Sequence, residues 1–359
     1  MQPLIAAPIT LLLVYRSYTH GSLTIPGIIT AAATATIHAL HPSPIPFTLL
    51  VLFFLLGTSA TKVKHEVKAT LTLSSTGSSG VHSHSTSNTG HEKRPKEPTK
   101  STAGGQEPRS AIQVLANSGC VSLLCLLHIA IYGLGNTTSA KTTACLGTLP
   151  ARDLILAGII SNYAAVTADT LSSELGILSS HKPRLITTLR EVPPGTNGGV
   201  TGAGLFAGLA GAIIIGIVSV IMLPTCSTSQ QSWSEFLYTF GQDASQPEGA
   251  ADLFGLVLAI GSWGALGSVL DSVLGALLQA SVVDKRTGKV VEAPNGGRVL
   301  VAAKKIGGDE DGTGKPSRIL GSGRDILDNN QINFLMAAAM TVGGIWLASL
   351  AWNAPLRSL

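Results

Sequence analysis

Three acidic residues stand inside long apolar stretches of the 359-residue sequence. Asp169 and Glu174 lie in ADTLSSELG, and Asp271 lies in GSVLDSVLG. A carboxylate is costly to place in an apolar environment and is usually retained there for a function. If the first stretch is helical, its spacing places Asp169 on one face with Ser172 and Ser173. The three acids are therefore the candidate catalytic residues.

The role of these acids depends on which positively charged group balances their negative charge. One alternative is that they form structural ion pairs with a basic residue. Arg152, however, lies at the opposite end of the segment that carries Glu174, and the sequence offers no other cation inside an apolar stretch. Mg²⁺ binds one or two carboxylates together with phosphate oxygens and water. We therefore favour a divalent metal site formed by Asp169, Glu174 and Asp271.

A polar loop, PRLITTLREVPPGTNGGVTGAG, separates two of the apolar segments. Its GTNGG sequence stands directly before the second segment, where free backbone amides at a helix N-terminus would bind phosphate. Arg184 and Arg190 would add cations, and arginine is suited to contact phosphate at two points. The candidate phosphate- and nucleotide-binding residues are Lys62, Lys64, Arg184, Gly195, Thr196, Asn197, Gly198, Gly199, Ser268, Asp328, Asn329 and Asn330.

The elements that position these residues are membrane-spanning helices. Only 12% of the residues are charged and 45% are hydrophobic, whereas a soluble domain carries about 25% charged residues. The apolar residues come in blocks long enough to cross a bilayer as helices. Unbroken runs exclude a closed barrel, whose strands alternate in polarity. We predict an all-α fold, a polytopic membrane helix bundle.

About eight transmembrane helices are predicted. The alternative for the first is a cleaved signal peptide, but it lacks a basic start and has Arg16 and Tyr18 where small residues would precede cleavage. The predicted spans are residues 4–18, 23–40, 45–61, 111–134, 153–178, 200–223, 253–280 and 332–352.

Basic residues are concentrated on one side of this eight-helix arrangement. Eight lie in residues 62–109, three in 180–199 and nine in 281–330, so that with Arg16 this side holds 21 of the 24 Lys and Arg residues. Cytoplasmic loops carry such an excess. We therefore predict that this side is cytoplasmic and that both termini are non-cytoplasmic.

The predicted domains follow from these spans. Residues 1–61 form the N-terminal transmembrane helices, residues 62–110 a basic, low-complexity cytoplasmic loop, and residues 111–359 the transmembrane catalytic bundle with a cytoplasmic loop at 281–330. Residues 71–106 are rich in Ser, Thr, Gly and Pro, as are residues 307–323. Such segments bury too little apolar surface to fold, so both are predicted to be disordered inserts.

The motifs together resemble a known family. ADTLSSELG, the polar loop, GSVLDSVLGALLQ, LDNNQINF and TKVKHEVKA resemble the transmembrane protein 19 family (domain of unknown function 92) of integral membrane proteins. The plant branch of that family contains phytyl-phosphate kinase, which converts phytyl monophosphate to the diphosphate with a nucleoside triphosphate. The chain is more distantly similar to dolichol kinases, phytol kinases and phosphatidate cytidylyltransferases, which use CTP.

The resemblance implies roles for particular residues. It places Asp169, Glu174, Asn197, Asp271 and Asn329 in polar motifs that the family shares, and it implies Mg²⁺ with CTP or another nucleoside triphosphate as phosphoryl donor. Family members have Trp where this chain has Leu171, and this difference implies an altered lipid pocket.

We therefore predict an isoprenoid monophosphate kinase of the endoplasmic reticulum membrane. It would transfer a phosphoryl group from a nucleoside triphosphate to a membrane lipid phosphate. Two alternatives remain open: a CTP-dependent lipid cytidylyltransferase, and a polar-lipid transporter or scramblase without catalytic activity. The sequence predicts no nucleic-acid partner and leaves the oligomeric state open.

Overall fold

The computed structural model of the protein describes residues 3–74, 108–133, 150–223, 250–293, 296–299, 318–354 and 356. Within these ranges the chain forms nine helices and six short strands. The helices are α1 (Pro3–His20), α2 (Ile25–Leu40), α3 (Ile45–Lys62), α4 (His65–Leu71), α5 (Ala111–Tyr132), α6 (Pro150–Gly176), α7 (Gly202–Met222), α8 (Ala250–Leu278) and α9 (Asn329–Ala351). The strands are β1 (Leu73–Ser74), β2 (Arg184–Leu185), β3 (Gly199–Val200), β4 (Ser281–Asp284), β5 (Val290–Glu292) and β6 (Arg318–Ser322).

The predicted polytopic helix bundle is confirmed. All helices except the short α4 coincide with predicted spans. Six helices of the described chain, namely α3 and α5 to α9, are long and apolar enough to cross a membrane, and α2 is apolar but shorter. Two of the starts are fixed by capping boxes. Ser110 caps α5 together with Gln113, and Asp328 caps α9 together with Gln331. In each pair the two side chains accept hydrogen bonds from backbone amides that the helix itself leaves without partners.

Helix α6 is the centre of the bundle and contacts α3, α5, α7, α8 and α9. Small residues bring α6 and α8 close together. A Cβ atom added to Gly264 would lie 2.7 Å from the carbonyl oxygen of Ala164, and one added to Gly267 would lie 3.0 Å from the Cα atom of Ala165. Small residues allow membrane helices to approach in this way. Because both helices continue beyond this contact, it determines which of their later residues face each other.

A small sheet covers one end of the bundle. Its strand order is β1-β5-β4-β6, with β1 parallel to β5 and the other pairs antiparallel. The sequence predicts a loop at residues 281–330 and disordered inserts at residues 71–106 and 307–323. The loop contains the strands Ser281–Asp284 and Val290–Glu292, and the inserts are wrong at their edges, because Leu73–Ser74 and Arg318–Ser322 are strands. The rest of the inserts, residues 75–106 and 307–317, lies outside the described residues.

The segments predicted to share the basic side do lie together. The backbone amide of Asn197, which precedes α7, donates to the hydroxyl of Ser281, which follows α8, at 2.9 Å. Lys68 of α4 contacts Glu174 near the end of α6. The sheet and the ends of α3, α6 and α8 are therefore at one end of the molecule. The assignment of this end to the cytoplasm stays a prediction.

Candidate active site

Two adjoining polar cavities lie at the end of the bundle that carries the sheet. The smaller has a volume of about 240 Å³ and the larger about 420 Å³. Asn197, Gln279, Glu292 and Asn329 line both cavities. The cavities therefore share a polar wall, and a group bound in one could contact a group bound in the other.

Asp169 and Asp271 both line the smaller cavity. Each follows the close contact between α6 and α8 by four residues, since Ala165 meets Gly267 there. Residues four apart share a helix face. Both helices run toward the sheet end, so the two carboxyl groups reach the same cavity.

Neighbouring side chains hold these carboxylates in place. Ser268, whose side chain is buried, lines the smaller cavity together with Asp169. The amide of Asn333, oriented to satisfy both of its contacts, donates to an Asp271 oxygen at 3.3 Å and to the Asn329 carbonyl at 3.0 Å. Asn333 was not predicted as a site residue, although it stands in the LDNNQINF motif four residues after Asn329.

The donors around the smaller cavity suit Mg²⁺. Carboxylate, hydroxyl and carboxamide oxygens line it, and Mg²⁺ prefers oxygen ligands. In the part of the chain that the structure describes, no three His, Cys, Asp or Glu side chains form a metal-binding cluster. A metal here would thus take Asp169 and Asp271 as its carboxylate ligands and fill its other positions with phosphate oxygens and water.

Glu174 belongs to a different cluster. Its carboxylate accepts from Lys68 at 2.7 Å and from the Thr61 hydroxyl at 3.0 Å. The premise that no cation could reach this acid is therefore wrong. Lys68 was assigned to a solvated cytoplasmic loop, but α4 folds back against the bundle and buries the lysine, whose side chain is only 8% exposed.

The Lys68–Glu174 pair is part of a buried polar network. Lys68 also donates to the Ala60 carbonyl at 2.8 Å, and Arg109 donates to the Thr61 hydroxyl at 2.9 Å. Burial lowers the pKa of Arg109, and the negative charge of Glu174 opposes this change. Lys68 and Glu174 line the larger cavity. The network ties α3, α4, α6 and the segment before α5 together at the cavity wall.

Four predicted phosphate-binding cations lie elsewhere. Lys62, Lys64, Arg184 and Arg190 are exposed, and none of them lines either cavity. Arg184 instead forms an exposed ion pair with Glu191 at 3.6 Å. The basic residues that line the larger cavity are Lys68 and Arg298, neither of which was predicted.

The GTNGG loop lines the smaller cavity but does not open the following helix. Gly195, Thr196, Asn197, Gly198 and Gly199 all face this cavity. Helix α7 begins only at Gly202, and its N-cap is the Thr201 side chain. The expected cradle of helix-terminal amides in this loop is therefore wrong.

The amides of the loop are largely used within the protein. Thr196 donates to the Pro193 carbonyl, Gly199 to the Thr196 carbonyl, and Asn197 to the Ser281 hydroxyl. Gly198 has a φ of 75°. A Cβ atom on it would lie 2.5 Å from the Ser272 carbonyl oxygen. The glycine therefore serves a left-handed turn pressed against α8.

The LDNN segment and Ser268 lie beside the two cavities. Ser268 lines the smaller cavity, Asp328 lines the larger one, and Asn329 lines both. Asn330 is buried, and a Cβ atom on Gly296 would lie 3.2 Å from its side-chain oxygen. Asn330 therefore supports the wall behind the larger cavity.

Glu292 is an acid that the sequence analysis missed. It ends β5 and lines both cavities. Desolvation of the carboxyl raises the pKa of Glu292, a hydrogen bond with Thr72 opposes this change, and the negative charge of Glu174 adds to it. Only its position beside two valines, VVE, hints at a short strand, and that signal is weak.

Leu171 does not line either cavity. Its side chain is 7% exposed and packs on α7, where a Cβ atom on Gly211 would lie 2.5 Å from a Leu171 methyl carbon. The expected altered lipid pocket at this position therefore has no support from its surroundings. The residue serves the contact between α6 and α7.

These helices and cavities describe a multi-pass membrane protein with a polar site at one end, and comparison with known proteins gives its family. The chain belongs to the family described as integral membrane protein DUF92, which matches residues 8–341. The resemblance stated from the sequence motifs is thereby confirmed.

Three relatives illustrate the family. The chain is 33% identical over 343 residues to Protein PGR of Arabidopsis thaliana, covering 92% of this chain and 90% of that protein. It is 28% identical over 176 residues to Protein VTE6, chloroplastic, of the same plant, covering 49% and 40%. It is 54% identical over 67 residues to an uncharacterized membrane protein of Methanocaldococcus jannaschii, covering 19% and 28%. No solved structure matches the chain.

Proposed function

We propose that the protein is an isoprenoid monophosphate kinase, which transfers a phosphoryl group from a nucleoside triphosphate to a lipid phosphate. The observation that carries this proposal is the pair of carboxylates, Asp169 and Asp271, which two helices present in one polar cavity. Phosphoryl transfer relies mainly on positioning and on charge stabilisation. Two adjoining polar cavities would accommodate a donor and an acceptor side by side. The resemblance to a family whose plant branch includes phytyl-phosphate kinase gives the substrate class.

Asp169 and Asp271 would hold Mg²⁺ against the triphosphate, and Asn333 would orient the carboxylate of Asp271 through its hydrogen bond. When bound, Mg²⁺ would supply positive charge that neutralises the phosphates. Without it, the acids would repel a triphosphate. The two acids would therefore act by binding the cation that balances the negative charge of the triphosphate.

The lipid phosphate would enter the larger cavity, where Lys68 and Arg298 are the basic side chains. An oxygen of the lipid phosphate attacks the γ-phosphorus of the nucleotide. The new bond joins that oxygen to phosphorus, the bond from the γ-phosphorus to the bridging oxygen breaks, and a nucleoside diphosphate leaves. The acceptor oxygen is already anionic, so this step needs no side chain to remove a proton.

The proposed location is the endoplasmic reticulum membrane, with both termini on the non-cytoplasmic side. This orientation follows from the basic residues and gives the site access to cytoplasmic nucleotide. The lipid substrate would reach the same end from the membrane interface. One site could then join a soluble donor to a membrane-bound acceptor.

Purified full-length protein with Mg²⁺, labelled CTP or ATP, and a panel of prenyl phosphates tests the proposal. We expect a labelled prenyl diphosphate and a nucleoside diphosphate. Release of pyrophosphate with formation of a CDP-lipid would replace the kinase with a cytidylyltransferase. Absence of turnover, together with lipid movement across reconstituted vesicles, would replace it with a transporter. The Asp169→Asn variant serves as the inactive control.

A further inference from the structure

A third cavity of different character lies between α1, α2, α3 and α5. It is lined mostly by apolar side chains, among them Leu13, Val14, Ala31, Phe53 and Phe54. Its volume is about 90 Å³. We name this cavity the apolar groove.

The apolar groove runs along the helices from the end that carries the active site. On α1 it is lined from Thr10 to Ser17, a length of about 10 Å at 1.5 Å per residue. The apolar half of a bilayer is about 15 Å thick. Small side chains on α2, at Ala31, Ala32 and Ala35, leave the space open.

The groove adjoins the larger polar cavity. Gln113 of α5 lines both. Arg109 lines the groove, and its guanidinium donates to Thr61, which in turn donates to Glu174 in the wall of the larger cavity. An apolar space thus meets a polar space across two side chains. A molecule with a phosphate head and an apolar tail matches that arrangement.

We propose that the apolar groove binds the tail of the lipid phosphate, beginning at Gln113 and Arg109 while the phosphate occupies the larger cavity. This assignment rests on the proposed function. The small volume of the groove means that it holds a single chain segment and that the rest of a long tail lies against the bilayer. The helices α1 and α2 then determine which tails are accepted.

Filling the groove tests the proposal. We expect Ala31→Phe to raise the KM for geranylgeranyl phosphate at least tenfold, since a pocket that loses room for even one methylene discriminates by about 10-fold to 200-fold. The KM for the shorter dimethylallyl phosphate and the KM for nucleotide should stay near the parent values. Val14→Phe fills the same groove from α1 and should give the same shift, so one variant that fails to fold does not remove the test.

Ala33→Phe is the matched control. Ala33 lies on the same helix, is exposed and does not line the groove, so this variant should retain the parent preference. If the Ala31 and Val14 variants keep the parent ratio of KM values while the parent turns over prenyl phosphates, the groove assignment is wrong and the kinase proposal stands. If the parent turns over no prenyl phosphate, the kinase proposal itself is wrong.

Photolabelling tests the groove without catalysis. A geranylgeranyl phosphate that carries a diazirine near the far end of its tail is irradiated with the full chain in nanodiscs. We expect labelled peptides from α1 and α2, reduced by unlabelled prenyl phosphate and by Ala31→Phe. Labelling that excess phospholipid reduces equally well would identify the groove as an ordinary bilayer contact and would overturn the assignment.

Discussion

Asp169 and Asp271 are set opposite each other by the helix contact one turn earlier, and no element has to move to bring them together. Asp169→Asn or Asp271→Asn removes one negative charge and keeps the size of the side chain. We expect either change to lower turnover by orders of magnitude, because the counter-charge for the triphosphate is lost. Steady-state kinetics across a Mg²⁺ titration measures the effect, and melting temperature shows that the fold is kept.

Glu191→Gln is the control for these substitutions. Glu191 is an exposed acid in an ion pair with Arg184, outside both cavities. It should leave turnover and Mg²⁺ dependence unchanged. Normal turnover in both aspartate variants would assign these acids to structure and not to catalysis.

Lys68 and Glu174 form a buried pair, and its members depend on each other. Lys68→Met should destabilise the protein by about 3–5 kcal/mol, because breaking a buried pair leaves an uncompensated charge. A combined Lys68→Met and Glu174→Leu variant should lose less stability than the two single losses together. Thermal unfolding in detergent completes the double-mutant cycle.

Arg184→Met provides the comparison, since the Arg184–Glu191 pair is exposed and such pairs contribute about 0–1 kcal/mol. Its melting temperature should match that of the parent. Strictly additive losses at Lys68 and Glu174 would contradict a direct interaction between them.

The sequence indicated some site residues and missed others for physical reasons. Asp169 and Asp271 stand out because a charge inside an apolar run is unusual. Lys68 does not stand out, because it follows two other lysines in a segment with the charge of a solvated loop. Where α4 folds back onto the bundle, Lys68 pairs with Glu174, which is 106 positions away. A pairing at that distance leaves no local pattern.

The GTNGG loop lies between α6 and α7 in the sequence, and Gly198 packs it against α8. Gly198→Ala would place a methyl group against the Ser272 carbonyl and Ala276 in a left-handed conformation, which costs about 1–3 kcal/mol before any clash. We expect a clear fall in melting temperature. Gly202→Ala is the control, because a Cβ atom there meets nothing within 4 Å.

Differential scanning calorimetry of both glycine variants, together with their KM for nucleotide, distinguishes a structural role of the loop from a phosphate-binding role. A stable Gly198→Ala protein with a raised KM for nucleotide would restore the phosphate-cradle interpretation. The predicted result is the reverse: lower stability for Gly198→Ala and parent-like behaviour for Gly202→Ala.

At the scale of elements, long apolar runs were sufficient to locate the spanning helices, because length and composition are local properties. The sheet could not be found in the same way. Strands β4 and β5 have four and three residues, too few for an alternating pattern to be distinguished from chance. These two strands pair with each other, but their outer partners are distant in the sequence: β4 pairs with β6, and β1 pairs with β5 across more than two hundred positions.

For the whole molecule, orientation is the property to test. Since 21 of the 24 basic residues fall on one side of the eight-helix arrangement, we expect proteinase K, added to the cytoplasmic face of sealed vesicles, to cut within residues 75–107. Residues 224–249, which the same arrangement predicts to lie on the opposite side, should be cut only after detergent is added. Protection of residues 75–107 would invert the orientation and remove access of cytoplasmic nucleotide to the site.

The ion pair between α4 and α6 also has a consequence for biosynthesis. Lys68 leaves the ribosome before its partner Glu174, and 106 positions separate them, an interval on the order of 5–20 s at ordinary rates of chain elongation. Throughout that interval Lys68 lacks the carboxylate that it contacts in the folded protein. The wall of the larger cavity can therefore be completed only after α6 is synthesised, and we expect α4 to be undocked in a ribosome-stalled chain that ends before α6.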